Sequence, residues 1–263
     1  MKKALVIVCL MTLASCAARS HGPSLPDNAS LVFPSDLMSE KSPFVEIEVV
    51  TDGATSSGGG VWLGDGQVLT AAHIFLGVKS PADPIFVTVH GQKVKADVVF
   101  HGQPPHNDLL LLKIDQTSFP ASLTKVVPPK ICADVEPVGA QLYIPSRDSV
   151  YQTYASPAGT VMYKGKTWSN STTALLSHGI SGSPVYQGKS GCLAGIVSRM
   201  DIQASGTGSP QKQQACMKAT LQGEDAHLGV TCTVDAKTIF MTADDIQEFL
   251  KEARTYLQSR SAG

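Results

Sequence analysis

The most informative residues of the chain are a histidine, an aspartate and a serine, each within a short distinctive segment. The segments are LTAAH (69–73), NDLLLLKI (107–114) and GISGSPV (179–185). A serine hydroxyl is a weak nucleophile at neutral pH and needs an adjacent base to remove its proton as it attacks. Imidazole suits that task because its unperturbed pKa lies close to neutrality, and a buried carboxylate can fix its tautomer. These residue types therefore predict covalent catalysis by an activated serine.

In composition and in their order, the three segments resemble the motifs of the chymotrypsin-like serine proteases. The resemblance implies that Ser181 is the nucleophile, His73 the general base and Asp108 the acid that orients the base. It also implies a polypeptide substrate and an oxyanion hole made by the amides of Gly179 and Ser181. The glycine lets the backbone turn so that both amides can point at one oxygen atom.

Two alternatives stand beside this interpretation. Each segment alone is common in proteins that catalyse nothing, and His178 is a second candidate base. A histidine three residues before the serine on a tight turn cannot easily meet the hydroxyl, so His73 is preferred. The alternative function is a binding protein that keeps the fold without catalysis. A fluorophosphonate probe separates the two, because it labels only a serine with a working base and oxyanion hole.

Ile180 departs from the motif of the pancreatic-type relatives. Those relatives carry an aspartate at this position, and it pairs with a newly cut N-terminus to order the oxyanion loop. Isoleucine cannot do so. The GISGSPV string resembles instead the bacterial glutamyl endopeptidases, and Deg-type proteases likewise dispense with this ion pair. We therefore expect an oxyanion loop held by packing, with Ile180 as one plug, and an enzyme that needs no activation cleavage.

The resemblance also implies a primary specificity pocket, which would be formed by Leu175, Leu176, Ser198, Met200 and Thr238. None of these is a carboxylate, and an unpaired cation buried among them would be strongly unfavourable. Glutamyl endopeptidases carry a histidine and small hydroxyl residues where this chain is apolar, so glutamate is not expected either. The arginine before Met200 is the one feature that could admit an acid. The pocket predicts an uncharged, apolar side chain before the cut.

Composition and charge exclude several other classes of function. The 263 residues carry a net charge of −1 and only 16% of them are charged, with no basic stripe for nucleic acid. No metal and no cofactor is expected, because the cysteines lack the CxxC spacing and the companion histidines of a zinc site.

The N-terminus reads as a targeting segment. Two lysines precede an apolar run at 4–13 that is too short to span a membrane. The run ends in LASC, which resembles the lipobox of bacterial lipoproteins, and the alternative is an ordinary secretory signal. The resemblance implies removal of residues 1–15 and diacylation of Cys16. Several acyl chains would anchor the protein stably to a membrane.

The residues that follow predict where the catalytic part lies. Ala17 is not the aspartate that retains many lipoproteins at the inner membrane, which favours the outer membrane of a bacterial cell envelope. The catalytic part would then face the periplasm or the exterior. Residues 16–43 are rich in Ser, Pro, Asn and Gly and are predicted to form a flexible tether.

Four of the six cysteines remain once the targeting segment is set aside. An even number in an exported domain favours two disulfides, for which three pairings are possible. The favoured pairs are Cys216–Cys232, which would close a loop rich in Gly, Gln and Ser, and Cys132–Cys192, between strands of the second half.

Past the tether, short runs of alternating apolar residues predict a domain of β-strands at 44–263. The resemblance implies an all-β fold of two antiparallel β-barrels, at about 44–127 and 128–241, with the site between them. An N-cap and an apolar stripe predict a C-terminal helix at about 242–259. Residues 201–232 are predicted as a tolerated surface loop, with an exosite beside the cleft as the alternative.

Overall fold

The fold was determined from a computed structural model of the chain. The structure describes residues 32–51, 54–76, 84–103, 107–114, 126–134, 138–157, 162–163, 166–167, 170–172, 176, 179–206, 211 and 232–261.

Six antiparallel strands close into a first barrel, in the ring order β1-β2-β3-β6-β5-β4. The strands are β1 (Phe44–Thr51), β2 (Ala54–Gly64), β3 (Gln67–Thr70), β4 (Ile85–Val89), β5 (Gln92–His101) and β6 (Leu110–Ile114). Strand β1 shows why the chain folds this way: Val45, Ile47 and Val49 are buried, and the residues between them are partly exposed. Alternation of this kind places every second side chain in the barrel interior.

Six further antiparallel strands close into a second barrel, in the ring order β11-β14-β13-β12-β7-β8. The strands are β7 (Gln141–Pro145), β8 (Val150–Pro157), β11 (Asn170–Thr172), β12 (Pro184–Gln187), β13 (Leu193–Gly206) and β14 (Cys232–Thr242). A small pair, β9 (Met162–Tyr163) and β10 (Lys166–Thr167), lies outside the ring. The two barrels confirm the predicted fold.

The chain ends in a helix, Ala243–Ser261. Thr242 caps it: its hydroxyl accepts from the Asp245 amide at 3.2 Å, and the Asp245 carboxylate accepts from the Thr242 amide at 2.9 Å. This reciprocal pair satisfies donors that a helix N-terminus leaves without partners. Ile246 and Phe249 are fully buried, as the apolar stripe predicted. In the described part of the chain, no helix has both the length and the apolar character needed to cross a membrane.

The prediction that residues 16–43 form a flexible tether is wrong for residues 32–43. Val32 and Leu37 are buried in the larger apolar core, with 5% and 2% of their surface exposed. The Val32 amide also donates to the Gly191 carbonyl at 2.7 Å, beside the β12–β13 turn. The spaced apolar residues of this polar segment find partners on the second barrel, and burial of that apolar surface stabilises the packed form. The folded part therefore includes residues 32–43.

The predicted surface loop at 201–232 is also corrected at both ends. Strand β13 continues to Gly206 and pairs with β14, which begins at Cys232. Residues 201–206 pair only with residues 232–237, and their polar sequence lacks the apolar alternation that predicts a strand. The remainder of that loop lies outside the described residues, apart from Gln211.

A disulfide joins Cys132 to Cys192, with Cα atoms 5.1 Å apart. The same two segments are joined by the Cys132 amide, which donates to the Leu193 carbonyl at 2.9 Å. The disulfide thus fixes the segment between the barrels to the first residues of β13. Cys216 and the side chain of Cys232 lie outside the described residues, so the second predicted disulfide stays a prediction.

Candidate active site

His73 and Asp108 are brought together at one edge of the first barrel. His73 lies in the 3₁₀ turn Ala72–Phe75, which follows β3, and Asp108 lies just before β6. The His73 ring Nδ1 is 2.7 Å from Asp108 Oδ2, and the His73 backbone amide donates to Oδ1 at 2.8 Å. The carboxylate side chain is only 6% exposed, whereas the imidazole is 31% exposed. This pairing fixes the ring and leaves its other nitrogen, Nε2, to act as a base.

Asp108 also accepts a hydrogen bond from the second barrel. The Ser198 hydroxyl donates to Oδ2 at 2.6 Å, and Ser198 is itself buried. The place of Ser198 in the wall of the specificity pocket stays a prediction, while the structure directs its hydroxyl to the carboxylate. The physical reason is a β-bulge: the β13–β14 register shifts between Val197 and Arg199, which leaves Ser198 outside the ladder. Bulges of this kind redirect a side chain.

Ser181 lies at a tight turn between Gly179 and Gly182, both of which have positive φ angles, +92° and +83°. The Ser183 amide closes the turn by donating to the Ile180 carbonyl at 2.9 Å. Ile180 is 3% exposed and belongs to the larger apolar core. A buried isoleucine in the middle of the turn is consistent with the expectation that packing holds the loop.

Glycines of β2 allow the nucleophile turn to reach the first barrel. The Gly59 amide donates to the Ser181 carbonyl at 2.7 Å. A Cβ placed on Gly58 would lie 2.5 Å from that same carbonyl and 2.4 Å from Cδ1 of Ile74, which follows His73. The serine turn and the histidine turn thus meet at Gly58. The sequence analysis missed these residues, although three consecutive glycines within a strand often mark a close backbone approach.

We expect Gly182→Ala to destabilise the protein by about 3 kcal/mol or more, because strain and overpacking add. Its φ of +83° disfavours any Cβ, which would also lie 2.2 Å from the Gly59 carbonyl oxygen and 2.3 Å from Thr70 Oγ1. A loss of that size lowers the melting temperature of a domain this large by roughly 10 °C. Thermal unfolding followed by circular dichroism measures it.

Gly139→Ala is the matched control for that variant. Gly139 has a similar φ of +85°, but an added Cβ there would meet nothing within 4 Å. It should cost only the backbone strain, about 1–2 kcal/mol. Equal melting temperatures for the two variants would show that the close contacts at Gly182 add nothing to the loss of stability.

The predicted pocket residues are only partly described. Leu176 and Thr238 are buried, Met200 is half-buried, and Met200 and Thr238 are paired across β13 and β14. The remaining predicted site residues, Leu175, His178 and Cys16, lie outside the described residues.

Comparison with known protein families gives a match over more than half of the chain. A family model described as trypsin-like peptidase domain matches residues 53–196, which include His73, Asp108 and Ser181. No curated protein matches the sequence.

Two structures of one solved protease show the same fold at low sequence identity. The active form of the Rv3671c protease of M. tuberculosis is 16% identical, with a TM-score of 0.53, over 94% of this chain and 93% of that chain. A serine-to-alanine mutant of Rv3671c from M. tuberculosis H37Rv, in an inactive form, is 17% identical, with a TM-score of 0.51, over 88% and 98%. Deg5 is 22% identical, with a TM-score of 0.46, over 63% and 83%.

Proposed function

Because the chain belongs to the trypsin-like peptidase domain family, we propose that it is a serine endopeptidase that cleaves polypeptides with Ser181, His73 and Asp108. The observation that carries the proposal is the pair of hydrogen bonds, 2.7 and 2.8 Å, between His73 and Asp108. That pair lies beside a serine turn whose backbone is bonded to the same barrel. Nucleophilic catalysis requires an oriented base within reach of a serine hydroxyl, and the proposal places Ser181 Oγ at His73 Nε2.

The reaction follows from the roles of these groups. Ser181 Oγ attacks the scissile carbonyl carbon while His73 Nε2 accepts its proton. His73 then donates that proton to the leaving amine as the C–N bond breaks, which leaves an acyl-enzyme on Ser181. Water attacks the ester with His73 again as base, and the acid product leaves as Ser181 is regenerated. Asp108 stabilises the imidazolium in both halves of the reaction.

The oxyanion hole is assigned to the amides of Gly179 and Ser181. Between residues that the structure describes, neither amide donates a backbone hydrogen bond, which supports this assignment. An added Cβ at Gly179 would meet nothing within 4 Å, which leaves open space beside that amide. One such donor is typically worth about 3 kcal/mol of transition-state stabilisation.

The primary specificity is proposed to be uncharged and apolar. Leu176, Met200 and Thr238 supply apolar or neutral surfaces and no carboxylate. Apolar pockets discriminate weakly, because one methylene changes transition-state binding by only about 1–3 kcal/mol. Several apolar side chains should therefore be accepted before the cut.

We expect the intact protein to hydrolyse unstructured protein substrates without any activation cleavage. Ile180 is buried and apolar, so it cannot bind a new N-terminal amine, and residues 32–43 are already packed. The test compares the casein hydrolysis rate of the protein that begins at residue 17 with that of a sample cut at 42–45. Equal or higher activity of the uncut protein is the expected result. Activity that appears only after the cut would contradict the proposal.

The location proposed for the enzyme is the outer membrane of a bacterial envelope, with Cys16 as a lipid anchor. The LASC string supports the anchor, and Ala17 supports the outer membrane. Labelled palmitate should enter the wild-type protein and be absent from Cys16→Ala, because the acylated thiol is gone. Cys9→Ala is the matched control and should be labelled normally. Equal labelling of wild type and Cys16→Ala would exclude this anchor.

A further inference from the structure

A cavity of about 320 Å³ opens beside the oxyanion loop, between the two barrels. Gly179 and Ile180 form one wall, Phe44 and Glu46 of β1 form a second, and the β7–β8 turn forms a third. The cavity includes none of the described residues of the proposed primary pocket. The cavity is therefore distinct from that pocket, and Gly179 in its wall places it beside the proposed oxyanion hole.

An ion pair between the two barrels borders this cavity. Arg147, in the β7–β8 turn, donates from Nε to Glu46 Oε2 at 2.8 Å, and its Nη2 contacts the same oxygen. The hydrogen bond that Arg147 donates to Glu46 raises the pKa of the guanidinium, so the arginine is a permanent cation. The side chain of Glu46 is 27% exposed and that of Arg147 is 66% exposed. The carboxylate thus lies mostly covered on a strand, whereas the arginine lies mostly exposed in a turn.

The charges around the cavity favour an incoming cation over an anion. Glu46 and Asp148 are acidic and Arg147 is basic, so these three lining groups sum to one negative charge. Within the described ranges, Asp148 takes part in none of the ion pairs. An anionic side chain would face both carboxylates. A cationic side chain can replace Arg147 at Glu46, and the exposed arginine can return to water at little cost.

We propose that this cavity binds a lysine or arginine side chain of the polypeptide substrate, which pairs with Glu46 and displaces Arg147. This inference rests on the proposed function, because a substrate side chain reaches the cavity only if the peptide lies against the oxyanion loop. It adds a second, charge-selective site to a primary pocket that carries no carboxylate. The enzyme would then recognise a neutral residue before the cut together with a basic residue nearby.

The test measures binding separately from hydrolysis. The full mature chain carrying Ser181→Ala is titrated against fluorescent octapeptides of alanine with one central leucine. One Lys, Gln or Glu is placed in turn at each of the other positions, and the Kd is measured at low salt. We expect Lys to bind about three- to fivefold more tightly than Gln at one position, with Glu weakest. The preference should shrink as salt screens the pair.

Two charge-removing variants in the Ser181→Ala background assign the effect. Glu46→Gln should abolish the Lys preference, and Arg147→Gln should increase it because the competing cation is gone. Glu48→Gln is the matched control: it lies two residues along β1, pairs with Lys93 at 2.5 Å and does not line the cavity, so the preference should persist. Equal Kd values for Lys and Gln, or a Lys preference that survives Glu46→Gln, would overturn the site. Hydrolysis of the same peptides by the wild type tests the proposed function on its own.

Discussion

Ser181→Ala should lower peptide hydrolysis by about 10⁵- to 10⁶-fold while the protein remains folded. The variant removes the only atom that can form the acyl-enzyme. It keeps the turn, because the Ser181 carbonyl still accepts from the Gly59 amide at 2.7 Å and the Ser183 amide still donates to Ile180. The oxyanion amides also remain, so the residual rate should exceed that of the uncatalysed reaction. The measurement is kcat/KM on one quenched peptide.

Ser183→Ala is the matched control for this prediction. Ser183 lies two residues further along the same turn, is fully buried, and its hydroxyl has no hydrogen-bond partner among the described residues. Removal of such a hydroxyl costs little, because no partner is left unsatisfied. Its kcat/KM should stay within a few-fold of the wild type. A folded Ser181→Ala variant that retains wild-type activity, free of contaminants, would refute the assignment of the nucleophile.

Asp108→Asn should lower kcat by about 10⁴-fold, although the side chain keeps its size. The carboxylate accepts from the His73 amide at Oδ1 and from both His73 Nδ1 and Ser198 at Oδ2. An asparagine has only one acceptor oxygen. If that oxygen still accepts the hydrogen bond from the His73 amide, the asparagine NH₂ group faces Nδ1. Nδ1 must then accept a hydrogen bond, so the ring proton lies on Nε2. The ring then cannot accept the proton of Ser181.

Ser198→Ala separates this tautomer effect from a general loss of hydrogen bonds to Asp108. It removes one donor but leaves both carboxylate oxygens as acceptors for His73, so its kcat should fall far less than that of Asp108→Asn. Circular dichroism checks that both variants fold. An Asp108→Asn rate within tenfold of the wild type would contradict the role given to the carboxylate.

The parts of the site that sequence analysis can predict are those encoded by local segments. His73, Asp108 and Ser181 each lie in a short motif, and the alternation in β1 or the cap at Thr242 needs only neighbouring residues. The two barrels are expected from the resemblance of these segments to the chymotrypsin-like serine proteases, because the short alternating runs alone predict strands and not how they pair.

The contacts that escaped prediction depend on register and on distant pairing. The role of Ser198 depends on a bulge between Val197 and Arg199, which no local pattern reveals. The close approach at Gly58 depends on which residue of β2 faces the serine turn. The pair between Glu46 and Arg147 joins residues 101 apart in sequence, one from each barrel. Such contacts exist only once both barrels are closed and packed.

The most direct test of the central claim is the reaction of the intact protein with a fluorophosphonate probe, followed by peptide mapping of the adduct. A serine reacts with this probe only when a base and an oxyanion hole activate it. The account predicts one adduct per chain, on Ser181, which is absent from Ser181→Ala and strongly reduced in His73→Ala. An unlabelled wild-type protein that is fully folded would contradict the account and favour a binding protein that shares the fold.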